Sequence, residues 1–447
     1  MQSSAAPNPL SLIASPGSIL RFALPSIATM VFMGLYTVVD VMFVARFVSS
    51  DAMASINIAC PVVNLVVGFA TMLATGGNAV VAAKMGEGRE CEARRDFTLV
   101  VAFGVAVAVA VAVAGNVWVQ PLARALGATE ALLPHCTEYL SVILAFTPAS
   151  MLQVLFQNGV IAAGRPGVGT AMAVSCGIAN IALDYLFLGV LGMGVAGAAW
   201  GTSAGYAIAA AIGAAFFFTR KEGLRFAAPS RDHRVLLRSC TNGVSEMVGQ
   251  AAAAVTTFLF NAVMLGIAGE DGVAAVTVLI YSQFMVSSVF FGFSMGCAPV
   301  ISYDHGAGDA ARLRRLFRSC VACVGIASVA ACLASFVGAP ALASLFASEG
   351  GPVFAMAAEG LAVFSVAYLF AGTNILASAA FTALGNGALS AVIAFLRTFG
   401  LVPLCLLSLP HILGIQGVWI AVPAAEAVTF VVSCALLLAN RKRYGYL

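Results

Sequence analysis

Charge is what this chain has least of. Asp, Glu, Lys and Arg make up only 9% of its 447 residues, against 61% hydrophobic residues. A soluble globular protein carries roughly 25% charged residues, so this scarcity, with a mean hydropathy of +1.00, excludes one. The four histidines, His135, His233, His305 and His411, share no metal-ligand spacing. Of the eleven cysteines only Cys320 and Cys323 have CxxC spacing, with no second pair or histidine nearby, so the thiols read as buried and inert. No GxxxxGK[ST] stretch occurs, which excludes ATP coupling within the chain. The glycine-rich run from Gly192 to Gly201 suits close helix approach instead. Short alternating segments of an outer-membrane barrel are missing as well. Met1 to Gly17 is polar, and no cleavage site follows it, so the first apolar run reads as a retained helix.

What is present is length of apolar sequence. A bilayer core needs ~20 apolar residues per helix, and twelve runs qualify: 19–43, 53–82, 97–119, 139–162, 169–190, 195–218, 240–266, 276–302, 317–343, 360–383, 390–409 and 417–439. If these alternate, basic residues gather on one side. They are Arg21, the stretch Lys84 to Arg95, Arg165, the stretch Arg220 to Arg238, Arg312 to Arg318, and Arg441 to Arg443. Arg46 and Arg124 fall on the other side, and Arg397 falls within a span. The positive-inside rule then puts both termini in the cytoplasm. The expected division is a cytoplasmic segment 1–18, a first lobe 19–218 with helices one to six, a linker 219–239, a second lobe 240–439 with helices seven to twelve, and a tail 440–447.

The chain is also written twice. Offset by 220 residues, Asp51 meets Asp271, Gly86 and Gly88 meet Gly306 and Gly308, and Arg94, Arg95 and Phe97 meet Arg314, Arg315 and Phe317. After a one-residue shift Glu138 meets Glu359 and Gly164 meets Gly385, and the register then reverts to pair Gly194 and Gly197 with Gly414 and Gly417. A six-span unit enters the membrane in the same direction twice. The two lobes are therefore related by a pseudo-two-fold axis along the membrane normal, with a central cavity between them.

Against this apolar background the acids stand out, because a carboxylate in hydrocarbon is costly and marks an ion or proton path. From a rise of ~1.5 Å per residue, Asp40 lies within roughly 5 Å of the outer end of span one, and Asp184 about 9 Å below the outer end of span five. Asn180 precedes Asp184 by one turn on the same face. Thr202 lies about 10 Å deep in span six, and Tyr139 opens span four. These five groups converge in the outer half of the first lobe, where they suit Na⁺ through oxygen ligation or a shared proton; two carboxylates there titrate as a pair. The second-lobe counterparts of Asp40 and Asp184 are Phe260 and Leu404 or Cys405, so the halves are not equivalent. That lobe has its own acids. Glu246, one turn before Gln250, lies about 9 Å in from the cytoplasmic end of span seven. Glu426 follows Pro423 near mid-depth in span twelve, and pairing with Arg397 is open. Pro25 offers a hinge in span one. Tyr36, Asn64, Gln153, Asn261 and Gln283 are candidate cavity-lining residues, with Gln157 and Asn374; helix–helix hydrogen bonding competes for each.

Distributed motifs give these residues a family context. They are LP at 24–25 before TVVDVMFVAR at 37–46, KMGEGRECEARR at 84–95, and AAGRPGVGTAM at 162–172 leading into NIALDYLFLGVLGMGVAGAAWGT at 180–202. GVSEMVGQ at 243–250, TFLFN at 257–261, GAGD at 306–309 and VWIAVPAAE at 418–426 follow in order. Over essentially its whole length the chain resembles the multidrug and toxic compound extrusion (MATE) family, prokaryotic drug-exporting type. The resemblance implies a V-shaped, all-α membrane protein of two six-helix lobes. It further implies secondary-active export of bulky, often cationic compounds driven by H⁺ or Na⁺, with no other cofactor. It maps the first-lobe coupling site onto Asp40, Asn180, Asp184 and Thr202, with Tyr139 adjacent. Glu246 and Glu426 match acids of one branch, which often carries a further acid where this chain has Gln250.

The function expected is therefore a cation-coupled antiporter in a bacterial or archaeal cytoplasmic membrane, acting as a monomer on small organic molecules and the bilayer, with no nucleic acid. A flippase for lipid-linked sugars of the same superfamily is the alternative, and Arg397 is its one candidate for holding pyrophosphate. An intramembrane aspartyl hydrolase is disfavoured by the duplicated lobes and by the lack of a catalytic signature at either aspartate.

Overall fold

The computed structural model describes residues 8–13, 15–47, 50–344, 348 and 350–446, and the side chains of 37–46, 50–52 and 254 also lie outside the described set. Among the described residues the chain is helical, without strands. Twelve long helices follow one another: α1 (Pro16–Phe47), α2 (Ser50–Gly86), α3 (Glu90–Val117), α4 (Leu133–Ala145 and Thr147–Ala162, bent by 49°), α5 (Pro166–Val190) and α6 (Gly194–Thr219). Then come α7 and α8, the two arms of Arg234–Gly306, followed by α9 (Ala310–Ser344), α10 (Pro352–Ala383), α11 (Gly387–Leu413) and α12 (Ile415–Tyr444). The arms α7 and α8 part at Gly269, whose φ of 64° and ψ of −151° are not helical.

Local chemistry explains several boundaries. Pro134, Pro148, Pro166 and Pro352 each stand in a first helical turn, where the missing N–H costs nothing. Pro148 also denies a donor to the preceding turn, which breaks α4 beside Phe146. Helices run past the apolar stretches at the basic end: α9 begins at Ala310 and α7 at Arg234. Hydropathy marks only the apolar part of a helix, whereas arginine is a good helix former and extends it into the polar layer.

The duplication is visible in the backbone. The repeat-matched glycines share left-handed conformations: φ is 76° at Gly88 and 71° at Gly308, 73° at Gly164 and 76° at Gly385, and 58° at Gly194 and 59° at Gly414. Each turn needs a residue without a Cβ, so both copies kept glycine.

The lobes meet at the end that bears the basic residues. There one core joins Val81, Met85, Phe97 and Phe217 of the first lobe to Val300, Phe317 and Phe381 of the second. Toward the other end the cores separate. Cys136, Leu140 and Leu144, and beyond them Leu188 and Ala198, stay within the first lobe, whereas Phe260, Met264, Tyr368 and Trp419 stay within the second. The result is a V whose apex is the basic end. Lipid gives packed helices no hydrophobic advantage, so the apex depends on small residues that let backbones touch. A Cβ on Gly76 would strike the Ser239 carbonyl and one on Gly243 the Met72 carbonyl, where α2 crosses α7. Likewise Gly86 abuts the Tyr303 carbonyl and Gly306 the Ala83 carbonyl, where α2 crosses α8. Gly86 and Gly306 are repeat partners, so that crossing lies on the pseudo-two-fold axis. The turn Pro9–Leu12 is packed at the same end, with Leu10 buried and Arg312 Nη2 donating to the Leu10 carbonyl at 2.8 Å and the Ile13 carbonyl at 3.1 Å.

Candidate functional site

The first-lobe cluster is built where α5 lies against α6. Asn180 and Asp184, one turn apart, are 2% and 0% exposed. Burial that complete in an apolar helix pair needs space, and α6 supplies it with glycines at four-residue spacing. A Cβ on Gly197 would meet Phe187 Cβ and Leu188 Cδ2 at 3.1 Å, and one on Gly205 would meet the Cys176 carbonyl at 3.0 Å and Asn180 Cβ at 3.6 Å. Between them, a Cβ on Gly201 would collide with Asp184 Oδ1. The carboxylate thus occupies the volume that any side chain at position 201 would take. Thr202 follows directly, and Asn180 Nδ2 donates to its Oγ1 at 3.4 Å. Asn180 Oδ1 is buried with no hydrogen-bond partner among the described residues, which leaves an amide oxygen suited to a cation.

After Asp184 the helix widens into a π turn, Tyr185–Val190. Such insertions recur at functional sites. Leu188 of that turn packs with Ala198 and Tyr139, and with Met53 and Ile56 of α2. Tyr139 therefore packs beside Leu188, one turn beyond Asp184 on the side away from the apex. On its other flank α1 leans on α5: a Cβ on Gly177 would meet Phe32 Cε1 at 2.5 Å and Tyr36 Cβ at 3.4 Å. Asp40 stands one turn beyond Tyr36 on α1, but its side chain lies outside the described residues.

The remaining candidates are dispersed. Gln153 is buried and donates to Gln157, whose own amide reaches Met33 Sδ at 3.5 Å, so this pair joins α4 to α1. Asn64 and Gln283 are half-buried on α2 and α8. Asn261 lines an apolar cavity of about 420 Å³ with Phe258, Leu265 and Glu270 at the far end of α7 and α8. Glu246 sits half-buried on α7 near the lobe junction, where Gly68 of α2 abuts Gln250 Cβ at 3.2 Å. Pro25 lies within α1, and its carbonyl accepts from Thr29 Oγ1 at 2.9 Å and from Thr170 Oγ1 of α5 at 2.8 Å.

In the second lobe Arg397 Nε donates to Glu426 Oε1 at 2.6 Å. Asn374 Nδ2 donates to Glu426 Oε2 at 2.7 Å and to the Glu426 carbonyl at 2.9 Å. The pairing left open by the sequence is therefore made, and Asn374 is its third member. Removing one partner of such a buried pair costs about 3–5 kcal/mol, so this triad ties α10, α11 and α12 together. Its members are far apart in the chain, and no spacing announces them. Thr170 and Gly201 were missed for the same reason.

Comparison with known proteins follows the same division into halves. Residues 25–186 and 247–407 match the family model described as MatE. The chain is 20% identical over 431 residues to the multidrug export protein MepA of Staphylococcus aureus (strain MRSA252), which covers 95% of this chain and 94% of that one. Its fold matches, at a TM-score of 0.90 and 21% identity, a structure described as the outward-facing conformation of a multidrug resistance MATE family transporter of the MOP superfamily, over 99% of this chain and 100% of that one. A MOP superfamily transporter from Pyrococcus furiosus, described as having a binding pocket of reverse polarity, matches at a TM-score of 0.88 and 21% identity over 99% of each chain.

Proposed function

The chain belongs to the MatE family of multi-pass secondary transporters, and from that premise we propose that it exports bulky, often cationic drugs and toxic organic compounds by antiport against H⁺ or Na⁺. The observation that carries this reading is the fully buried Asp184 carboxylate, held against Gly201 one turn from Asn180. A buried acid on a two-lobed scaffold is suited to taking up a cation and releasing it again. In this reading the basic end is cytoplasmic by the positive-inside rule, the V opens outward, and Asp40 completes the cation site with Asp184, Asn180, Thr202 and Tyr139. A cation arriving from outside loads the aspartates and shifts α1 against α5, which favours the lobe state that releases cargo. Unloading toward the cytoplasm resets it. The ion acts only through its differential affinity for the two states. Na⁺ as driver would use the amide and hydroxyl oxygens with the carboxylates, whereas H⁺ needs the carboxylates alone. For the lipid-linked saccharide alternative, the engagement of Arg397 by Glu426 weighs against a pyrophosphate site.

Two experiments test it. Purified protein in proteoliposomes should drive efflux of a cationic dye under a pH gradient or a Na⁺ gradient, each imposed alone. Efflux under neither would overturn the reading. Gly201→Ala should lower export by about tenfold at unchanged membrane level, since overpacking costs about 1–3 kcal/mol and here falls on the Asp184 carboxylate. Undiminished export by Gly201→Ala would remove the Asp184 position from the mechanism. Gly197→Ala, whose Cβ would meet nothing closer than 3.1 Å, should be milder.

A further inference from the structure

We infer that the turn Pro9–Leu12 is a strap across the lobe junction, and that Arg312 is the positioning residue that fixes it to the second lobe; the inference rests on the two lobe states of the reading above. The turn touches both lobes at once. On the first-lobe side, Asn8 Nδ2 reaches Met85 Sδ at 3.9 Å, and a Cβ on Gly164, between α4 and α5, would meet Pro9 Cβ at 2.6 Å. A thioether is a weak acceptor, and the proline contact is van der Waals only. On the second-lobe side, Arg312 Nη2 of α9 donates to the Leu10 carbonyl at 2.8 Å and to the Ile13 carbonyl at 3.1 Å. Bonds from a guanidinium are charge-assisted and stronger than neutral ones. Asp304, at the end of α8 and 1% exposed, stands 3.2 Å from Arg312 Nε and fixes the guanidinium. Leu10 itself is buried in the core that joins the lobes. The hold is therefore asymmetric, firm on the second lobe and loose on the first.

The duplication supplies an independent argument. Offset by 220 residues, Lys84 matches Asp304 and Glu92 matches Arg312. Each lobe makes the matched ion pair, with the signs exchanged: Lys84 Nζ lies 3.3 Å from Glu92 Oε2 in the first, and Arg312 Nε 3.2 Å from Asp304 Oδ1 in the second. A pair that only joined two helices would serve in either order. An arginine, however, can engage a carboxylate and still have N–H groups left for two carbonyls, whereas a glutamate has no donor to give. The exchange thus fits the second lobe, and not the first, to seat the turn. When the lobes part at the basic end, the turn travels with Arg312 and leaves Met85 and Gly164 behind. Until then it spans the junction and favours the closed arrangement.

The test uses pairs of spin labels in a background free of other cysteines, with pH, Na⁺ and ethidium varied. One label sits at Leu12, 67% exposed on the turn. The second sits at Ala311 on α9 or at Cys91 on α3, both exposed. The parent should show a single Leu12–Ala311 distance and two Leu12–Cys91 distances, one for each lobe arrangement. Arg312→Met combined with Asp304→Asn removes the donors without stranding a buried charge. It should broaden the Leu12–Ala311 distance and raise the population open at the basic end about tenfold, the weight of one charge-assisted hydrogen bond in a two-state ratio. Glu92→Gln, which breaks the matched pair of the first lobe while Lys84 keeps Asp96, should change neither. Parental distances in the double variant would overturn the inference, whatever its yield. A Leu12–Ala311 distance that splits in the parent, or an equal effect of Glu92→Gln, would overturn it as well. A parent with one distance for every pair, including labels on the two lobes themselves, would instead overturn the two-state reading.

Discussion

Asp184→Asn is expected to bring drug export down to the background of cells lacking the transporter, while membrane insertion and yield stay at the level of the parent. The change is nearly isosteric. Asp184 is 0% exposed and its carboxylate lies where Gly201 leaves room, so an amide of the same shape fits the same volume. Asn180 keeps its donation to Thr202. What disappears is the charge. An effector shifts a two-state protein only through the affinity difference that it sees between the states, typically about 1–3 kcal/mol or on the order of 5–150-fold, and a group that no longer ionises contributes no charge to it. Resistance assays against a cationic drug, with membrane level measured by immunoblot, check this outcome. Parental resistance in cells carrying the variant would sink the coupling role of Asp184. The variant also separates the two drivers. An asparagine oxygen still offers Na⁺ a neutral ligand, so high external Na⁺ should recover part of the efflux if sodium drives transport. A proton has no such fallback, and lowering the external pH should recover nothing.

The sequence carried the positions of the long apolar helices because hydropathy encodes them directly. Each of the twelve apolar runs falls on a described helix, the run 97–119 overreaching α3 by two residues, and the duplication was legible because glycines at turns have no substitute, as at Gly88 and Gly308. The ends of helices were not legible. Arg312, Arg314 and Arg315 are polar yet helical, so α9 begins seven residues before its apolar run at 317. Proximity within one helix or between successive helices was readable from periodicity, which brought Asn180, Asp184 and Thr202 together. Proximity across the lobe was not. Arg397 finds Glu426 and Asn374 through the packing of α10, α11 and α12, and nothing in the order of residues fixes which faces of those helices meet. Glycine was the least legible signal of all. There are 44, and only the fold distinguishes Gly201, which makes space for a carboxylate, from Gly17, where an added Cβ would meet open space.

Gly243→Val is expected to hold the lobes apart at the basic end and to stop transport without unfolding the protein. At the α2–α7 crossing a Cβ on Gly243 would sit on the Met72 carbonyl, and one on Gly76 on the Ser239 carbonyl. The obstacle in both cases is backbone, which cannot rotate away as a side chain can, so the helices themselves must separate. Overpacking of a tight site costs about 1–3 kcal/mol. If that cost falls on only one of the two lobe arrangements, each 1.4 kcal/mol shifts their ratio about tenfold, and about 3 kcal/mol shifts it on the order of 150-fold. The lobes should survive this because each keeps a core of its own away from the apex, around Leu140 in the first and Trp419 in the second. The junction therefore yields before the lobes do. Spin labels on the two lobes should report longer distances across the basic end in Gly243→Val than in the parent, and dye efflux should fall to background. A cysteine placed at Ser239, which is buried beside this crossing, should react faster with a membrane-impermeant thiol reagent supplied from the basic side. Gly76→Val should reproduce the effect, because it blocks the same contact from the other helix. Unchanged distances with lost transport would mean that the valine acts by local damage, and that the Gly76–Gly243 contact does not set the closure of the V.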